Sequence, residues 1–577
     1  MTLDPITREI MHNALASAAD EMAVALHRTS YSTIVRDCLD FSTSICDAGG
    51  QMIAQGVTIP LHLGAVPSAM EALLERFEGQ IEPGDVFIMN DPFAGGMHIP
   101  DIFVIKPVFW EGERVAFAVS TAHHLDLGGR LPGSSACDNT EIFQDGLRIP
   151  WLKLYRRGRP DEAILAMIRA NVRVPDKTLG DLFAQLSACT IGERAVLALV
   201  RRYGLATYRA FTADLIAYTE RLVRAEIAAW PDGAASFVDH LDSDGVGGPP
   251  VRIAVTVTIS GDTLTADFSG SAPQVRGALN CTRSFAVSVV AMCVRAMMRE
   301  HVPNTAGIFR PLTVVTPPGT VVNATMPAAS SMRGVTGFRL IDATLGALAQ
   351  LLPDRVPAAG EGGNTLVIIG GQAASGPYVF YELLAGTWGG RPGRDGNDGL
   401  CNPANVASNI PVEQAECEYP VRVERYGLVP DSGGAGQYRG GLAVERSWRL
   451  LGEGSSLTIR SDRRDHPPYG LAGGLPGAPS VSVLAGPSRE ATLPTMVATS
   501  MEQGELIYHR MAAGGGWGDP LERDPAAVAR DVRDEKVSPG AAHAQYGVVL
   551  DPATLAVDEP ATAALRAERR RDGGQQP

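Results

Sequence analysis

The chain opens with a long helical pattern and then changes to short runs typical of strands. Asp4 and Pro5 favour a helix start, because an aspartate side chain can cap the first turn and proline fits its first position. Apolar residues at helical spacing carry this helix to about Arg28, and a second helix is expected over 67–77. Three strand-like runs follow, over 85–89, 102–108 and 115–121. Because these runs are apolar on both faces, both faces of their sheet are expected to be covered.

The rest of the chain mixes helical, strand-like and loop-rich segments. Helical spacing returns between 160 and 230, whereas 230–250 is rich in Gly, Asp and Pro and marks the best boundary. Alternation over 251–268, interrupted by a short turn, predicts a hairpin. A helix is expected over 339–352, and 360–520 is rich in loops, glycine pairs and short strands.

These patterns predict an α+β fold, in a large multi-unit protein with mixed sheets, a helix-rich N-terminal part and a strand- and loop-rich C-terminal part. At 577 residues the chain is too long for a single core. The expected units are 1–230, which carries the candidate site, 231–540, which is β-rich with Gly-rich loops, and 541–577, a partly disordered C-terminal tail.

Composition and charge narrow the function classes. The net charge of −14 argues against a nucleic-acid partner, which would require a basic stripe. No apolar run reaches the roughly 18 to 20 residues that span a bilayer, so no membrane partner is expected. The eight cysteines form no C-x-x-C pair, and no signal peptide is apparent. Reduced thiols and a cytoplasmic location are therefore expected.

Two clusters of imidazole and carboxylate side chains stand out from this background. His98 and Asp101 lie in a glycine-bent loop, 90–101, that follows a strand-like run. His123 and His124 end another such run, where neighbouring side chains point to opposite faces. Only one of these two histidines can easily join His98 and Asp101, and the pattern alone does not say which.

Two neutral imidazoles with one or two carboxylates suit Zn²⁺, Mn²⁺ or Fe²⁺. Asp40 is a possible further carboxylate, although its distance along the chain gives it no support. The same spacing also fits a purely structural arrangement, in which His98 caps a turn and Asp101 holds a loop amide. No lysine follows a glycine anywhere in the chain, so there is no P-loop lysine to bind ATP.

A series of ordered blocks carries a resemblance to a known family. The blocks lie at 4–7, 90–101, 122–129, 141–150, 267–270, 302–307, 418–422, 431–436 and 514–520. They resemble the hydantoinase B family and place the similarity over roughly 4–550. Members include B subunits of ATP-dependent hydantoinases and lactamases, the second half of 5-oxoprolinase, and the metal-bearing subunits of acetone and acetophenone carboxylases.

The resemblance implies a division of labour between two subunits. A hydantoinase A-type subunit would bind ATP and phosphorylate the carbonyl oxygen of a small cyclic amide, and this chain would then hydrolyse the activated species within a hetero-oligomer. One divalent metal is implied, with Zn²⁺ the leading candidate and Mn²⁺ or Fe²⁺ as alternatives. The competing hypothesis is the metal-bearing subunit of an ATP-dependent ketone carboxylase.

The resemblance also assigns ligands. It places the metal on His98, Asp101 and His123, with Asp40 as a fourth ligand, and thus selects His123 over His124. A cation held there would lower the pKa of bound water towards about 7.

Proton transfer has three candidates in this scheme. Asp40, if it does not bind the ion, is one acceptor for the proton of water, and Asp126 and His124 are the alternatives. His124 has the alternative of pointing away from the ion and fixing the strand end. His62 also lies in a family block, where a structural role and a site role are equally open.

Two further hypotheses come from other classes. Two histidines and one carboxylate also describe the site of non-haem iron oxygenases, although those usually show H-x-D/E and not H-x-x-D. The chain would be a non-catalytic partner of the A-type subunit if it bound no metal.

Overall fold

The computed structural model describes residues 4–402 and 404–573 as a protein of helices and several sheets, which confirms the α+β class. The helices are α1 (Pro5–Thr29), α2 (Thr33–Arg36), α3 (Pro60–Leu63), α4 (Val66–Phe77), α5 (Glu162–Asn171), α6 (Pro175–Tyr203), α7 (Leu205–Ala228), α8 (Arg283–Met297), α9 (Arg333–Leu351), α10 (Val412–Glu418), α11 (Pro525–Arg533), α12 (Pro539–Tyr546) and α13 (Glu559–Gly573).

The strands fall into four sheets. They are β1 (Phe41–Asp47), β2 (Met52–Gln55), β3 (Val86–Met89), β4 (Asp101–Trp110), β5 (Glu113–His123), β6 (Leu152–Arg156), β7 (Arg159–Pro160), β8 (Gly233–Leu241), β9 (Val251–Ser260), β10 (Thr263–Asp267), β11 (Leu312–Val315), β12 (Leu366–Ala373), β13 (Gly376–Leu383), β14 (Val421–Leu428), β15 (Val444–Leu450), β16 (Ser455–Arg460), β17 (Val481–Ala485), β18 (Glu490–Thr492), β19 (Met496–Met501) and β20 (Leu506–Arg510).

The first helix forms as its sequence predicts. The Asp4 carboxylate accepts a hydrogen bond from the backbone N–H of Thr7, which satisfies one of the free donors of the first turn. Met11, Leu15 and Met22 lie on one buried face of α1, which packs against α6. The helix ends at Thr29, close to the expected end.

A seven-stranded sheet, with the order β2-β1-β5-β4-β3-β6-β7, is the frame for the N-terminal part. Alternate residues of its strands enter two different apolar clusters: Ile88 and Val104 belong to one, and Phe87 and Phe103 to the other. Both faces of the sheet are therefore covered, as the continuous apolar runs indicated.

In the described part of the chain one helix, α6, is long and apolar enough to cross a membrane by length and composition. It packs against α1, β4 and β5, and 44% of its most apolar window is buried. The core helix of a globular protein meets the same criteria.

The C-terminal part carries the other three sheets, with the orders β11-β10-β9-β8, β13-β12-β16-β19 and β14-β15-β20-β17-β18. The hairpin expected over 251–268 is present as β9 and β10. Helix α9 begins at Arg333, six residues before the expected 339, because the buried polar and glycine residues of its first turn hide the apolar pattern.

Both large apolar clusters draw residues from both sides of residue 230, so the two parts share their cores. The division into units at 230 and 540 stays a prediction. The segment expected as a partly disordered tail contains α13 and most of α12, and Ala542 and Tyr546 pack in a small third cluster. Residues 574–577 lie outside the described residues.

The contact between α8 and α9 depends on a glycine. A Cβ atom at Gly337 would lie 1.8 Å from Cε1 of Phe285, whose ring is 1% exposed and therefore has little room to move. We expect Gly337→Ala to lower the free energy of unfolding by roughly 1–3 kcal/mol through overpacking, despite the better helix propensity of alanine. Thermal unfolding followed by circular dichroism measures this loss as a lower Tm.

The matched control is Gly540→Ala, also within a helix. A Cβ there meets nothing closer than Ser538 Oγ at 3.7 Å, so its Tm should equal or slightly exceed that of the wild type. Equal Tm values for the two variants would contradict the packing argument.

Candidate metal centre

The strand register brings the first three candidate ligands together. Asp101 is the first residue of β4 and His123 is the last residue of β5, and the two are direct cross-strand partners. The backbone N–H of His123 donates to the carbonyl oxygen of Asp40 at 3.0 Å, just before β1 begins. Three residues separated by up to 83 positions therefore meet at one end of the seven-stranded sheet.

The glycine-bent loop before β4 supplies His98. Gly95 has φ +97°, and a Cβ there would lie 2.7 Å from the carbonyl oxygen of Ser68, so the turn requires glycine. The turn places Nδ1 of His98 2.7 Å from Oδ2 of Asp101. The ring centroids of His98 and His123 are 5.1 Å apart.

His62 joins the same pocket from α3. Its Nε2 lies 3.4 Å from Oδ1 of Asp40 and 3.9 Å from Oδ1 of Asp101, and its Nδ1 lies 3.2 Å from Oγ of Ser42. Of the two roles left open from the sequence, this position favours the site role.

The C-terminal part closes the pocket with residues that sequence reasoning missed. Arg333, in the first turn of α9, lies 2.5 Å from Oδ2 of Asp101 through Nη2. The hydroxyl of Tyr381 on β13 lies 3.1 Å from Nε2 of His123, and Arg460 ends β16 at the pocket wall. A basic residue in the first turn of an apolar helix is unfavourable to the helix dipole, but the sequence pattern began this helix at 339 and so gave no such signal for Arg333.

Burial keeps the histidines of the pocket neutral. It lowers the pKa of His62 and of His98 to about 4, and the Arg333 guanidinium adds to the effect at His98. Burial, together with the neighbouring His98, holds the pKa of His123 well below its ordinary value. Neutral imidazoles keep the nitrogen lone pair that a metal ligand needs.

The pKa values of the two carboxylates are shifted in opposite directions. Burial, reinforced by the nearby Asp101 carboxylate, raises the pKa of Asp40 to about 7. Burial opposes ionisation of Asp101 too, but the adjacent His98 and Arg333 hold its pKa well below the ordinary value. Asp101 is therefore the fixed negative charge of the pocket, and Asp40 can exchange a proton near neutral pH.

These groups surround a small cavity of about 50 Å³. One water occupies roughly 10–15 Å³ by this measure, so the cavity has room for a few waters. Its remaining wall is largely apolar, and includes Ile59, Leu61, Phe285, Phe338 and Leu383.

The donor set fits a divalent cation by its chemistry. Two neutral imidazoles and two carboxylates converge, and Oδ1 of Asp101 and Nδ1 of His123 are buried atoms without a hydrogen-bond partner among the described residues. Within residues 4–402 and 404–573, however, no three His, Cys, Asp or Glu side chains stand where they could hold one ion without moving. The metal therefore stays a prediction, and it requires the side chains to draw closer.

His124 and Asp126 are not brought into this pocket. His124 points to the opposite face of the sheet, as strand alternation requires, and its Nε2 lies 3.0 Å from Oε1 of Gln185 on α6. Asp126 accepts hydrogen bonds from the backbone N–H of Arg173 at 2.8 Å and from its guanidinium at 2.9 Å. Both residues are fully buried, so the structure gives a proton-transfer role at the pocket no geometric support.

The position of Asp126 predicts a structural effect. Its carboxylate also accepts from the backbone N–H of Gly128 and Gly133 and so holds the loop after β5. We expect Asp126→Ala to lower the free energy of unfolding by roughly 2–4 kcal/mol, because it removes the acceptor of three backbone N–H groups and the ion pair of Arg173. Urea unfolding of the purified chain measures the difference.

Asp138→Ala is the matched control in the same loop. Asp138 is 42% exposed and pairs with the exposed Arg130, so its removal should change stability by less than about 1 kcal/mol. Equal destabilisation by the two substitutions would contradict the structural role of Asp126.

Comparison with known proteins gives one family over most of the chain. Residues 4–520 match the model of the family described as hydantoinase B/oxoprolinase. The B-type subunit of the putative D-/L-hydantoinase of Pseudomonas sp. (strain NS671) is 33% identical over 95% of this chain and 95% of its own length. The beta-type subunit of the caprolactamase of Pseudomonas jessenii is 33% identical over 98% of this chain and 99% of its own length.

Solved structures agree with this match. The crystal structure of ATP-dependent caprolactamase from Pseudomonas jessenii superposes with a TM-score of 0.90 at 32% identity, over 98% of this chain and 100% of that chain. The nucleotide-free structure of acetone carboxylase gives a TM-score of 0.91 at 21% identity, over 100% of this chain and 84% of that chain, which shows a shared fold. The resemblance that the sequence motifs indicated is confirmed.

Proposed function

Because the chain belongs to the hydantoinase B/oxoprolinase family, we propose that it is the metal-dependent B-type component of an ATP-dependent cyclic amide hydrolase. Its substrate would be a lactam or cyclic imide whose carbonyl oxygen a partner A-type subunit has phosphorylated. The observation that carries the proposal is the convergence of Asp40, His98 and His123 on one buried cavity, with Asp101 in contact with His98 and paired with His123. Relatives named as single components of a hydantoinase and of a caprolactamase support a multi-subunit enzyme.

His98, Asp101 and His123 would hold a divalent cation, with Asp40 as a fourth ligand. Zn²⁺ is the first choice, with Mn²⁺ and Fe²⁺ as alternatives, because imidazole and carboxylate donors suit all three. When bound, such an ion would supply Lewis acidity and lower the pKa of a water in the pocket.

The protein's own residues prepare the reaction in three ways. A cyclic amide is a poor electrophile, and phosphorylation of its oxygen creates a leaving group at the carbon that water attacks. Asp40, whose pKa is raised to about 7, is suited to take up the proton of that water when it is not a metal ligand. Phe285, Phe338 and Leu383 line the cavity and give it an apolar wall that would exclude bulk water from the reaction.

The absence of a P-loop lysine in the sequence supports a partner that binds ATP. The alternative of a ketone carboxylase subunit is weaker. The likeness to acetone carboxylase, at 21% identity, concerns the fold alone, whereas the relatives at 32–33% identity are named for hydantoinase and caprolactamase. A cytoplasmic location remains a prediction.

The metal assignment predicts the effect of removing a ligand. The wild type should contain about one divalent ion per chain, and His98→Ala and Asp101→Asn should each weaken its affinity for that ion at least about tenfold. Elemental analysis of the purified proteins, with circular dichroism to confirm folding, provides the measurement. His543→Ala, which removes an exposed histidine from α12, is the control and should keep full metal content. Full metal content in both ligand variants would defeat the assignment.

The subunit assignment predicts dependence on a partner. The isolated chain should hydrolyse neither ATP nor a lactam, because it has no P-loop lysine and cannot form the phosphorylated substrate. Mixing it with its A-type subunit should produce ADP and the ring-opened amino acid together. Release of ADP and assays of the amino acid product test this, and robust turnover by the isolated chain would refute the subunit model.

A further inference from the structure

Arg460 places a buried guanidinium at the cavity wall, and no carboxylate of the described residues is in direct ion-pair contact with it. The residue is 5% exposed, and its Nε donates to the carbonyl oxygen of Asn364 at 3.1 Å. Among the described residues no carboxylate oxygen lies within ion-pair distance of it, whereas the buried Arg333 and Arg446 pair with Asp101 and Glu382. A buried charge without a partner is costly, so its position calls for an anion that the folded chain does not itself supply.

The first turn of α9 lies close to the Arg460 guanidinium. A Cβ at Gly334 would lie 2.7 Å from Oδ1 of Asn364 and 3.3 Å from Nη1 of Arg460, so the absence of a side chain at Gly334 makes room for this close approach. Gly334 and Arg333 both line the cavity, which thus meets the N-terminal end of a 19-residue helix. The N-terminal end of a helix carries partial positive charge and commonly binds phosphate groups.

The ion pairs of the pocket also leave one guanidinium for a ligand. Two carboxylates, Asp40 and Asp101, and two guanidinium groups, Arg333 and Arg460, lie at the pocket. Asp101 is already paired with Arg333, which leaves Arg460 as the guanidinium available to a ligand. A phosphate monoester carries about −1.5 to −2 charges near pH 7, and arginine binds it through paired donors.

We propose that Arg460, together with the first turn of α9, forms a subsite for the phosphoryl group of the phosphorylated substrate. This inference rests on the proposed function. In this arrangement the phosphoryl oxygens bind at Arg460, and the substrate carbon, which is joined to phosphorus through the bridging oxygen, faces His98 and His123. Free phosphate, the product of the same reaction, shares this chemistry and must be distinguished by experiment.

The test is phosphate binding, measured by isothermal titration calorimetry on the full chain with its partner subunit and a divalent cation supplied. The probes are phenyl phosphate, which mimics a phosphorylated enol-type oxygen, and inorganic phosphate. Arg460→Gln should weaken the binding of phenyl phosphate at least about tenfold, because a charge-assisted hydrogen-bond pair is lost. The control, Arg422→Gln, removes the same charge from an exposed strand position and should bind as the wild type does.

A second variant distinguishes loss of the phosphate subsite from misfolding. Arg460→Lys keeps the charge but loses the paired donors, and should bind phenyl phosphate several-fold more weakly than the wild type. Metal content and circular dichroism are measured for every variant, so that loss of the cation or of the fold is recognised.

Weaker phenyl phosphate binding in both Arg460 variants, at wild-type metal content, supports the proposal. Wild-type affinity for phenyl phosphate in both variants overturns the proposal. It is also overturned if the wild type binds inorganic phosphate but not phenyl phosphate. Failure of the proposed function is a separate result: wild type and Arg422→Gln would bind phenyl phosphate normally yet hydrolyse no cyclic amide in the presence of the partner and ATP.

Discussion

A single buried carboxylate, Asp101, organises the pocket and joins the two parts of the chain. It is fully buried, and an isolated charge at such a position would cost several kcal/mol. His98 from the preceding loop and Arg333 from α9 both contact its Oδ2, and β5 pairs it with His123. The chain can therefore bury Asp101 with its charge paired only when α9 is docked against the N-terminal sheet. Within the described part of the chain, Oδ1 of Asp101 has no hydrogen-bond partner, and it lies on the side of His62.

Features that depend on neighbouring residues were predictable from the sequence. The cap at Asp4, the strands around 85–121 and the hairpin over 251–268 all follow from local pattern and turn chemistry, and the α+β class follows from them. The glycine-bent loop with His98 and Asp101 was visible for the same reason. The resemblance to the hydantoinase B family added the preference for His123, and the cross-strand pairing places that residue next to Asp101.

Features that depend on tertiary contacts were not predictable. Arg333 contacts a residue 232 positions away and Tyr381 one 258 positions away, and no local spacing encodes either contact. The start of α9 was placed too late because its first turn is buried by contacts with the pocket and not by an apolar stripe. Asp126 follows two histidines closely in the sequence, which suggested a proton acceptor. In the structure its carboxylate pairs with the guanidinium of Arg173, 47 positions further along the chain.

The hydrogen bond between Tyr381 and His123 has a consequence for synthesis on the ribosome. His123 emerges early, but Tyr381 and Arg460 follow only after most of the polypeptide has been translated. Contacts so distant along the chain form late, because the loop between them must close first. A nascent or prematurely terminated polypeptide therefore has an unfinished cavity, which lacks the part of the wall and the guanidinium groups that α9, β13 and β16 supply.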